Sequence, residues 1–481
     1  MDQEFDVVVA GCGVAGLSAA VSAAEKGLKV AILERATREE RGGQSRYTEA
    51  YLRMKAMDQV TDDFETHLAE NLGPYNDPDL MNEMSTGRDS WSHQTRALAI
   101  TDTEVIANFA EHVPSTIKWL QGLGVKFDFL PTQFLTKTQP RLLPVGGGWA
   151  LVEALAAAAE KIGVTFFYQT TARKLITDDD GVVKGLQAQQ QGKGVLRLSG
   201  KVVLACGGFE GNPQMLTKYI GPRSVYLRPI CKGGFYNRGE GIEMALDIGA
   251  APSGEFGSYH AEPIDPRSGV AEASIFIFPY GILVNKEGKR FVDEAPGTVD
   301  AYYERVTRQI YEQREGIAYV ILDQRVKDIP NYRLAIRTDQ PAIEADSIAA
   351  LATKLQIPVE LLSETLNQYN ASCTASAQYD PLNLDGVSTK GLYPPKSNWA
   401  LPIDKGPYIA YPIISANVFT FGGLKITPEG QVVNSDGEPM PNLYAAGEVV
   451  GMYYTNYTGS TSVLKGLVFG RLAAQHIASS K

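Results

Sequence analysis

The first thirty-four residues constrain this chain more than any other part of it. Residues 5–10, Phe-Asp-Val-Val-Val-Ala, are an apolar, β-branched run long enough for a buried parallel strand. Gly11-Cys12-Gly13-Val14-Ala15-Gly16 follows with no spacer, and residues 17–26, rich in Ala and Ser, read as a helix. Gly27 ends that helix, residues 28–33 read as a second strand, and Glu34 closes it. Strand, GxGxxG turn, helix, strand and acid, in that order, specify a dinucleotide site, whereas a GxGxxG alone matches any Gly-rich turn. Gly11 permits the tight turn, Gly13 lets the backbone approach a pyrophosphate, and Gly16 lets the helix lie close on the strand. The helix start at Val14 and Ala15 offers free N–H groups and a positive dipole end to the phosphates. Glu34 stands eighteen residues after Gly16, where an acid accepts hydrogen bonds from a ribose diol. The motif does not separate FAD from NAD, since an acid at the second strand suits both.

Beyond that unit, 481 residues allow two or three domains and a sizeable core. A net charge of −10 argues against general nucleic-acid binding and against anionic membrane surfaces. No apolar run is long enough to predict a membrane span. The acidic opening, Met1-Asp2-Gln3-Glu4, leads straight into the first strand and does not read as a signal peptide. Cys12, Cys206, Cys231 and Cys373 are scattered and form no CxxC or CxxCH, so no haem c, iron–sulfur cluster or other metal site is expected. These features predict a reduced, soluble, cytoplasmic protein.

Along the chain, Arg41-Gly42-Gly43-Gln44-Ser45-Arg46 is a Gly-rich loop placed to lie against a cofactor or to form a surface turn. Residues 62–124 carry a helical pattern with an amphipathic stripe at Val105, Ile106, Phe109, Val113, Ile117 and Leu120, which is ordinarily core. Residues 131–144 lack periodicity and carry Arg141; Gly146-Gly147-Gly148-Trp149 then leads into an Ala-rich helix over 150–161. Residues 164–168, 172–176 and 182–198 read as strands, with turns at 178–181 and 192–194. A separate buried strand over 201–204 ends in Ala205-Cys206-Gly207-Gly208. From about residue 254 the Gly-rich turns give way to aromatics, prolines and mixed helix signals. A hairpin is predicted between 281–285 and 289–292, and two helices over 343–369. The early style returns with strand-like residues 432–433 and 442–446, then Gly447-Glu448, then a helix over 463–478 opened by Ser462. The expected fold is α/β: a discontinuous Rossmann-type domain over 1–254 and 417–481, with an inserted α+β capping domain over 255–416.

In order, GCGVAG with Glu34, RGGQS, LACGGF with Asn212, RGEGIEMALDIGA, GILVNKEGKRFVDE and NLYAAGEVVG resemble the flavoprotein family of fumarate reductase and succinate dehydrogenase. The 3-ketosteroid Δ1-dehydrogenases belong to the same superfamily. The segments YPPKSNWALPIDKGPYIAYP and GGGWALVEAL look most like its tricarballylate dehydrogenase branch. The resemblance implies FAD as cofactor and a cap over the isoalloxazine ring. It implies cofactor contacts from Arg35, from Gly42, Gly43, Gln44 and Ser45, and from Ala172. It extends them to Ala205, Gly207, Gly208, Asn212 and Gly447. Glu448 and Glu240 match acids near the ribityl chain, and the N–H groups of Ser462, Val463 and Leu464 face the flavin N1/C2=O edge, where a positive helix end favours anionic reduced flavin. The loop after Gly43 has no His, so attachment is expected to be non-covalent.

The departures bear on substrate. Where fumarate reductases carry a catalytic Arg, this chain has Thr298; where they carry a His before MGG, it has Phe419; where they carry a carboxylate-binding Arg, it has Tyr457. Only His260 matches a substrate-site residue of the family. A dicarboxylate without these cations is poorly compensated for desolvation. Tyr453, Tyr454 and Tyr457 precede the last helix much as a Tyr does in the ketosteroid dehydrogenases, and Tyr302 and Tyr303 lie just past the slot of another Tyr. The expected machinery is Tyr457, His260 and Tyr302 for catalysis, with Arg141, Tyr454, Phe419 and Thr298 against substrate. The expected reaction is desaturation of a C–C bond α,β to a carbonyl, in a small cyclic ketone. The alternatives are a tricarballylate-type dehydrogenase, an enoate reductase, and a flavoprotein subunit feeding an electron-transfer partner. The electron acceptor — oxygen, a quinone or a redox protein — is left open by the sequence.

Overall fold

The computed structural model describes residues 2–70, 77–136, 141–374 and 378–480. Val7, Val8 and Val9 are fully buried and place β1 (Asp2–Ala10) at the centre of an eight-stranded sheet. α1 (Val14–Glu25), β2 (Val30–Leu33), α2 (Thr103–Gly122), α3 (Gly147–Ile162) and β3 (Thr165–Phe167) follow. The meander comes next, as β4 (Thr170–Thr177), β5 (Val183–Gln190) and β6 (Gly194–Leu204). Residues 194–198 and 201–204, expected as two strands, are therefore one. Gly200 carries the chain through at φ +149°, where a Cβ would lie 2.6 Å from the Phe5 carbonyl oxygen.

The second sheet collects β7 (Arg228–Pro229), β8 (Tyr259–Ile264) and β9 (Ile282–Val284). After α4 (Val299–Tyr311) it adds β10 (Ile317–Leu322), β11 (Ile343–Ala345) and β12 (Tyr408–Thr420). β12 is its spine: β7 pairs with it in parallel and β8, β10 and β11 pair antiparallel. The predicted hairpin at 281–292 is reduced to one bridge between Val284 and Arg290, because β9 pairs with β10 instead. Arg290 turns away to the buried Glu294 carboxylate (2.6 Å) and the Pro394 carbonyl (2.7 Å). The two helices expected in 343–369 occur at Ile348–Leu355 and Val359–Ser372, behind β11. Of the helical stretch 62–124 and the aperiodic stretch 131–144, residues 71–76 and 137–140 lie outside the described residues.

The chain then rejoins the first sheet through β13 (Gln431–Val433) and β14 (Pro439–Ala445), and ends in α5 (Ser462–Ser479). The parallel strands run in the spatial order β14-β6-β1-β2-β3, with β13 antiparallel at the edge. α1 and α5 pack closely because small residues meet there: a Cβ on Gly470 would lie 2.4 Å from the Ala15 carbonyl oxygen. Among the described residues no helix is long and apolar enough to cross a membrane.

Candidate active site

A cleft holding about 1300 Å³ of space, part of it open to solvent, follows the edge of the first sheet where β1, β2, β6 and β14 end. Open α/β sheets bind ligands at that edge. At one end it is lined by Glu34, Arg35, Thr171, Ala172, Cys206 and Glu240. Its middle is lined by Gly11, Gly13, Val14 and Ala15 on one side and Gly42, Gly43, Gln44 and Ser45 on the other, with Ala205 and Gly207 beside them. Its far end is lined by Val418, Phe419, Gly447, Glu448, Ser462, Val463, Lys465 and Glu272.

The turn fits a pyrophosphate. Gly11 takes φ +109°, and a Cβ there would lie 2.3 Å from the Ala205 carbonyl oxygen. Gly16 does not line the cavity; it seats the helix, since a Cβ would fall 1.9 Å from the Gly11 carbonyl oxygen. The Val14 N–H donates to Ser45 Oγ (3.3 Å), tying the GG loop to the helix start. Gly148 supports that loop from α3, where a Cβ would come within 1.9 Å of the Ser45 carbonyl oxygen. Glu34 accepts the Ala36 N–H (2.7 Å); burial pushes its pKa up, against the pull of neighbouring backbone N–H groups.

Several expected contacts fall elsewhere. Glu240 pairs with Arg35 and faces Arg173 on β4 (3.6 Å), so it belongs to the Glu34 end and not to Glu448. Asn212 is a helix cap: its side-chain oxygen accepts the N–H groups of Gln214 (3.0 Å) and Met215 (3.2 Å), and its amide donates to the Arg238 carbonyl. Gly208 lies behind the lining, where a Cβ would fall 2.2 Å from Glu448 Oε1. Leu464 points into the core, fully buried.

Glu448 is the polar hub of the far end. It accepts the Thr420 N–H (2.7 Å) and a bond from Asn237 Nδ2 (3.3 Å). It also sits against the carboxyl of Glu210, to which Asn237 Nδ2 donates at 2.6 Å. Burial and the neighbouring Glu448 push Glu210 well above the usual carboxylate range, so the pair shares a proton. Gln44 donates to both Glu210 and the Val418 carbonyl. This set of acceptors suits the hydroxyls of a ribityl chain.

Beyond Phe419 the site becomes aromatic. His260 on β8 lies opposite Phe419 on β12, with ring centroids 5.2 Å apart, and 4.5 Å from Tyr457. Its Nε2 meets the hydroxyl of Tyr303 at 2.7 Å. Tyr303 is the residue the sequence reading passed over in favour of its neighbour: Tyr302 lies over Gly297, where a Cβ would be 2.4 Å from its ring. Tyr457 is held as a cap. Its hydroxyl accepts the N–H groups of Thr461 and Ser462 (both 3.1 Å) and donates to Ser462 Oγ (3.0 Å). Tyr454 is turned away, its hydroxyl accepting the Gly254 N–H (3.2 Å). Thr298 is the residue before α4, outside the aromatic group. Arg141 is half-buried, reaching toward Asp300 (4.0 Å) with Tyr457 nearby.

Burial, reinforced by Arg308, lowers the His260 pKa to about 3, so the imidazole is neutral at pH 7. The folded state then binds fewer protons than the unfolded state between pH 3 and 6.5, and stability is lost as pH falls through that window. Between pH 7 and pH 5 this one group accounts for about 2 kcal/mol. Denaturant unfolding at the two pH values is expected to show wild type losing about that much more than His260→Phe; equal losses would exclude a neutral buried imidazole.

The FAD binding domain family matches residues 6–463. Vinyl phenol reductase of Lactiplantibacillus plantarum is 26% identical over 98% of this chain and 96% of its own length. A fumarate reductase (cytochrome) of Shewanella frigidimarina is 26% identical over 98% of this chain and 77% of its own length. The solved structure of 3-ketosteroid-Δ4-(5α)-dehydrogenase from Rhodococcus jostii, in complex with 4-androstene-3,17-dione, superposes with a TM-score of 0.67. It is 27% identical, over 99% of this chain and 97% of that one. Some relatives are much longer: the chain spans 36% of NADH:acrylate oxidoreductase of Vibrio harveyi and 48% of NADH:fumarate oxidoreductase of Klebsiella pneumoniae. The resemblance to the fumarate reductase and ketosteroid dehydrogenase flavoproteins thus runs the length of the chain, and the cavity has the turn, the acids and the helix end that a flavin dinucleotide requires. The chain belongs to the FAD binding domain family, and FAD is its cofactor.

Proposed function

We propose that the chain desaturates a C–C bond next to an uncharged carbonyl, with a small cyclic ketone as the substrate class. It is an FAD-dependent oxidoreductase acting on CH–CH groups. The observation that supports the substrate class is the neutral aromatic group of His260, Tyr303 and Tyr457 packed behind Phe419, which lines the cavity beside Ser462. Among the described lining residues the cations are Arg35, paired with Glu240, and Lys465, bonded to the Val450 carbonyl; beside the aromatic group, Arg308 is paired with Glu304 (3.0 Å) and Arg141 faces Asp300 (4.0 Å). A dicarboxylate would enter without the counter-charges that its desolvation requires.

FAD, held non-covalently, supplies the hydride acceptor. The protein's own part is the proton. Burial, with the nearby Glu262 carboxyl, keeps the Tyr303 phenol protonated. In desaturation the Tyr303 hydroxyl passes its proton to His260 Nε2 as it takes up the proton leaving the substrate carbon, so that proton ends on the His260–Tyr303 pair. Tyr457, with its hydroxyl committed to the start of α5, contributes a ring face. The second sheet acts as the cap that excludes water. A protonated Tyr303 also suits the reverse reaction, reduction of a conjugated C=C bond, and this is the second reading. The tricarballylate-type reaction and a subunit passing electrons to a partner require a cation or a docking partner, which Arg141 or a redox protein would provide.

Anaerobic mixing of the FAD-loaded protein with cyclohexanone, a 3-ketosteroid, succinate and tricarballylate tests this. Flavin bleaching by a ketone supports the proposal; bleaching by tricarballylate or succinate alone overturns it. Reoxidation of reduced protein by an unsaturated ketone, with no bleaching by saturated ones, selects the second reading.

A further inference from the structure

Lys465 is out of place in its helix. It lies one turn into α5, between Leu464 and Leu467, Val468 and Phe469, all fully buried, and is itself 2% exposed. Its ammonium donates to the Val450 carbonyl (2.8 Å) and sits 4.6 Å from the centre of the Tyr453 ring. One protein acceptor for three N–H donors is poor compensation for burying a charge. Among the described residues no carboxylate oxygen lies within ion-pair distance of it. Glu448, the nearby acid, is spent on Thr420, Asn237 and Glu210. Yet Lys465 lines the flavin cavity beside Ser462, Val463 and Gly466.

The other positive element at that end is weakened. A helix N-terminus stabilises anions through free N–H groups, and here the N–H groups of Thr461 and Ser462 are taken by the Tyr457 hydroxyl, which leaves those of Val463 and Leu464 for the ligand. A flavin that takes up two electrons and one proton gains one negative charge, and a buried cation close by is worth more than the same cation in water. We propose that Lys465 is the cation that sets the reduction potential of this flavin, its ammonium offsetting the negative charge acquired on two-electron reduction. This rests on FAD occupancy alone and holds whichever substrate is used. Burial lowers the Lys465 pKa to about 7 while Glu448 raises it, so the site has an ammonium available near neutrality and gains further from an anion beside it.

The test uses FAD-loaded wild type, Lys465→Met, Lys465→Gln and Lys465→Arg, without substrate. Sulfite adds through sulfur to flavin N5, forming one S–N bond as the C4a=N5 π bond opens, and that electron pair leaves the added negative charge on the ring; its affinity therefore reports the same stabilisation. The neutral variants are expected to retain oxidised FAD and to bind sulfite at least about tenfold more weakly, with the two-electron midpoint lowered by about 30 mV for each tenfold. Lys465→Arg is expected to stay within about threefold of wild type, since it keeps the charge. Unchanged sulfite affinity and midpoint in the neutral variants overturn the proposal. So does loss of oxidised FAD from both, because a charge acting on the reduced state leaves the oxidised state bound.

Discussion

Tyr303→Phe is expected to keep FAD bound and to slow flavin reduction by substrate by about 10²–10⁴-fold, the range for removing a positioned proton carrier. The expectation follows from one contact, Tyr303 hydroxyl to His260 Nε2 at 2.7 Å, in a setting where both groups are neutral. Tyr302→Phe is the internal control and is expected to stay within about twofold of wild type, its ring resting on Gly297. Tyr457→Phe frees the Thr461 and Ser462 N–H groups and is expected to act through the start of α5, changing FAD affinity more than the rate. Stopped-flow measurement of flavin absorbance separates these outcomes. A large rate loss in Tyr457→Phe with none in Tyr303→Phe would return the proton to Tyr457.

The second large effect is on the cofactor itself. Gly16→Ala places a methyl 1.9 Å from the Gly11 carbonyl oxygen, where backbone and not a flexible side chain must give way. The expected cost is about 3 kcal/mol of stability, with FAD absent from the purified protein, because α1 cannot lie on β1 and the turn opens. Gly27→Ala is the contrasting case. Gly27, unlike Gly16, sits at positive φ, +78°, and no atom lies within 4 Å of its Cβ, so the substitution is expected to carry only the backbone strain of about 1 kcal/mol. Bound-flavin absorbance and denaturant midpoints check both. Full FAD occupancy in Gly16→Ala would show that the close approach can relax.

These contrasts show which parts of the site the sequence made legible. The Gly11–Gly16 turn, Glu34 and the flanking strands could be read because their chemistry is local: each glycine answers to an atom within a few residues or one strand away. The same held for Glu448 and the start of α5, which stand at element ends marked by glycines. Tyr302 and Tyr303 stand side by side in the sequence, and helical phase is what separates them. Consecutive helical residues point 100° apart. On α4 the buried positions Val299, Val306, Thr307, Ile310 and Tyr311 share a stripe with Tyr303 at its centre and Tyr302 to one side. That stripe was available before any coordinates were. So was the role of Asn212, since Asn followed by Pro213 is a helix-cap pair. Glu240 could not have been placed, because its position depends on Arg35 more than two hundred residues away. The hairpin at 281–292 is present only as its turn and one bridge, Val284 to Arg290, while the ladder of β9 is made with β10.

β12 has a consequence of its own. It is a single strand of thirteen residues. Its length serves as the spine of the second sheet, and its last residues, Val418, Phe419 and Thr420, wall the cavity and hold Glu448. The two duties meet at Val418, where the register of β12 against β8 shifts by one residue. A cofactor at a hundredfold excess over its dissociation constant adds about 2.7 kcal/mol to whatever it binds, and here that free energy is delivered to a strand on which four others hang. The flavin is thus a keystone as well as a reagent: strands that never touch it are held in place by its occupancy.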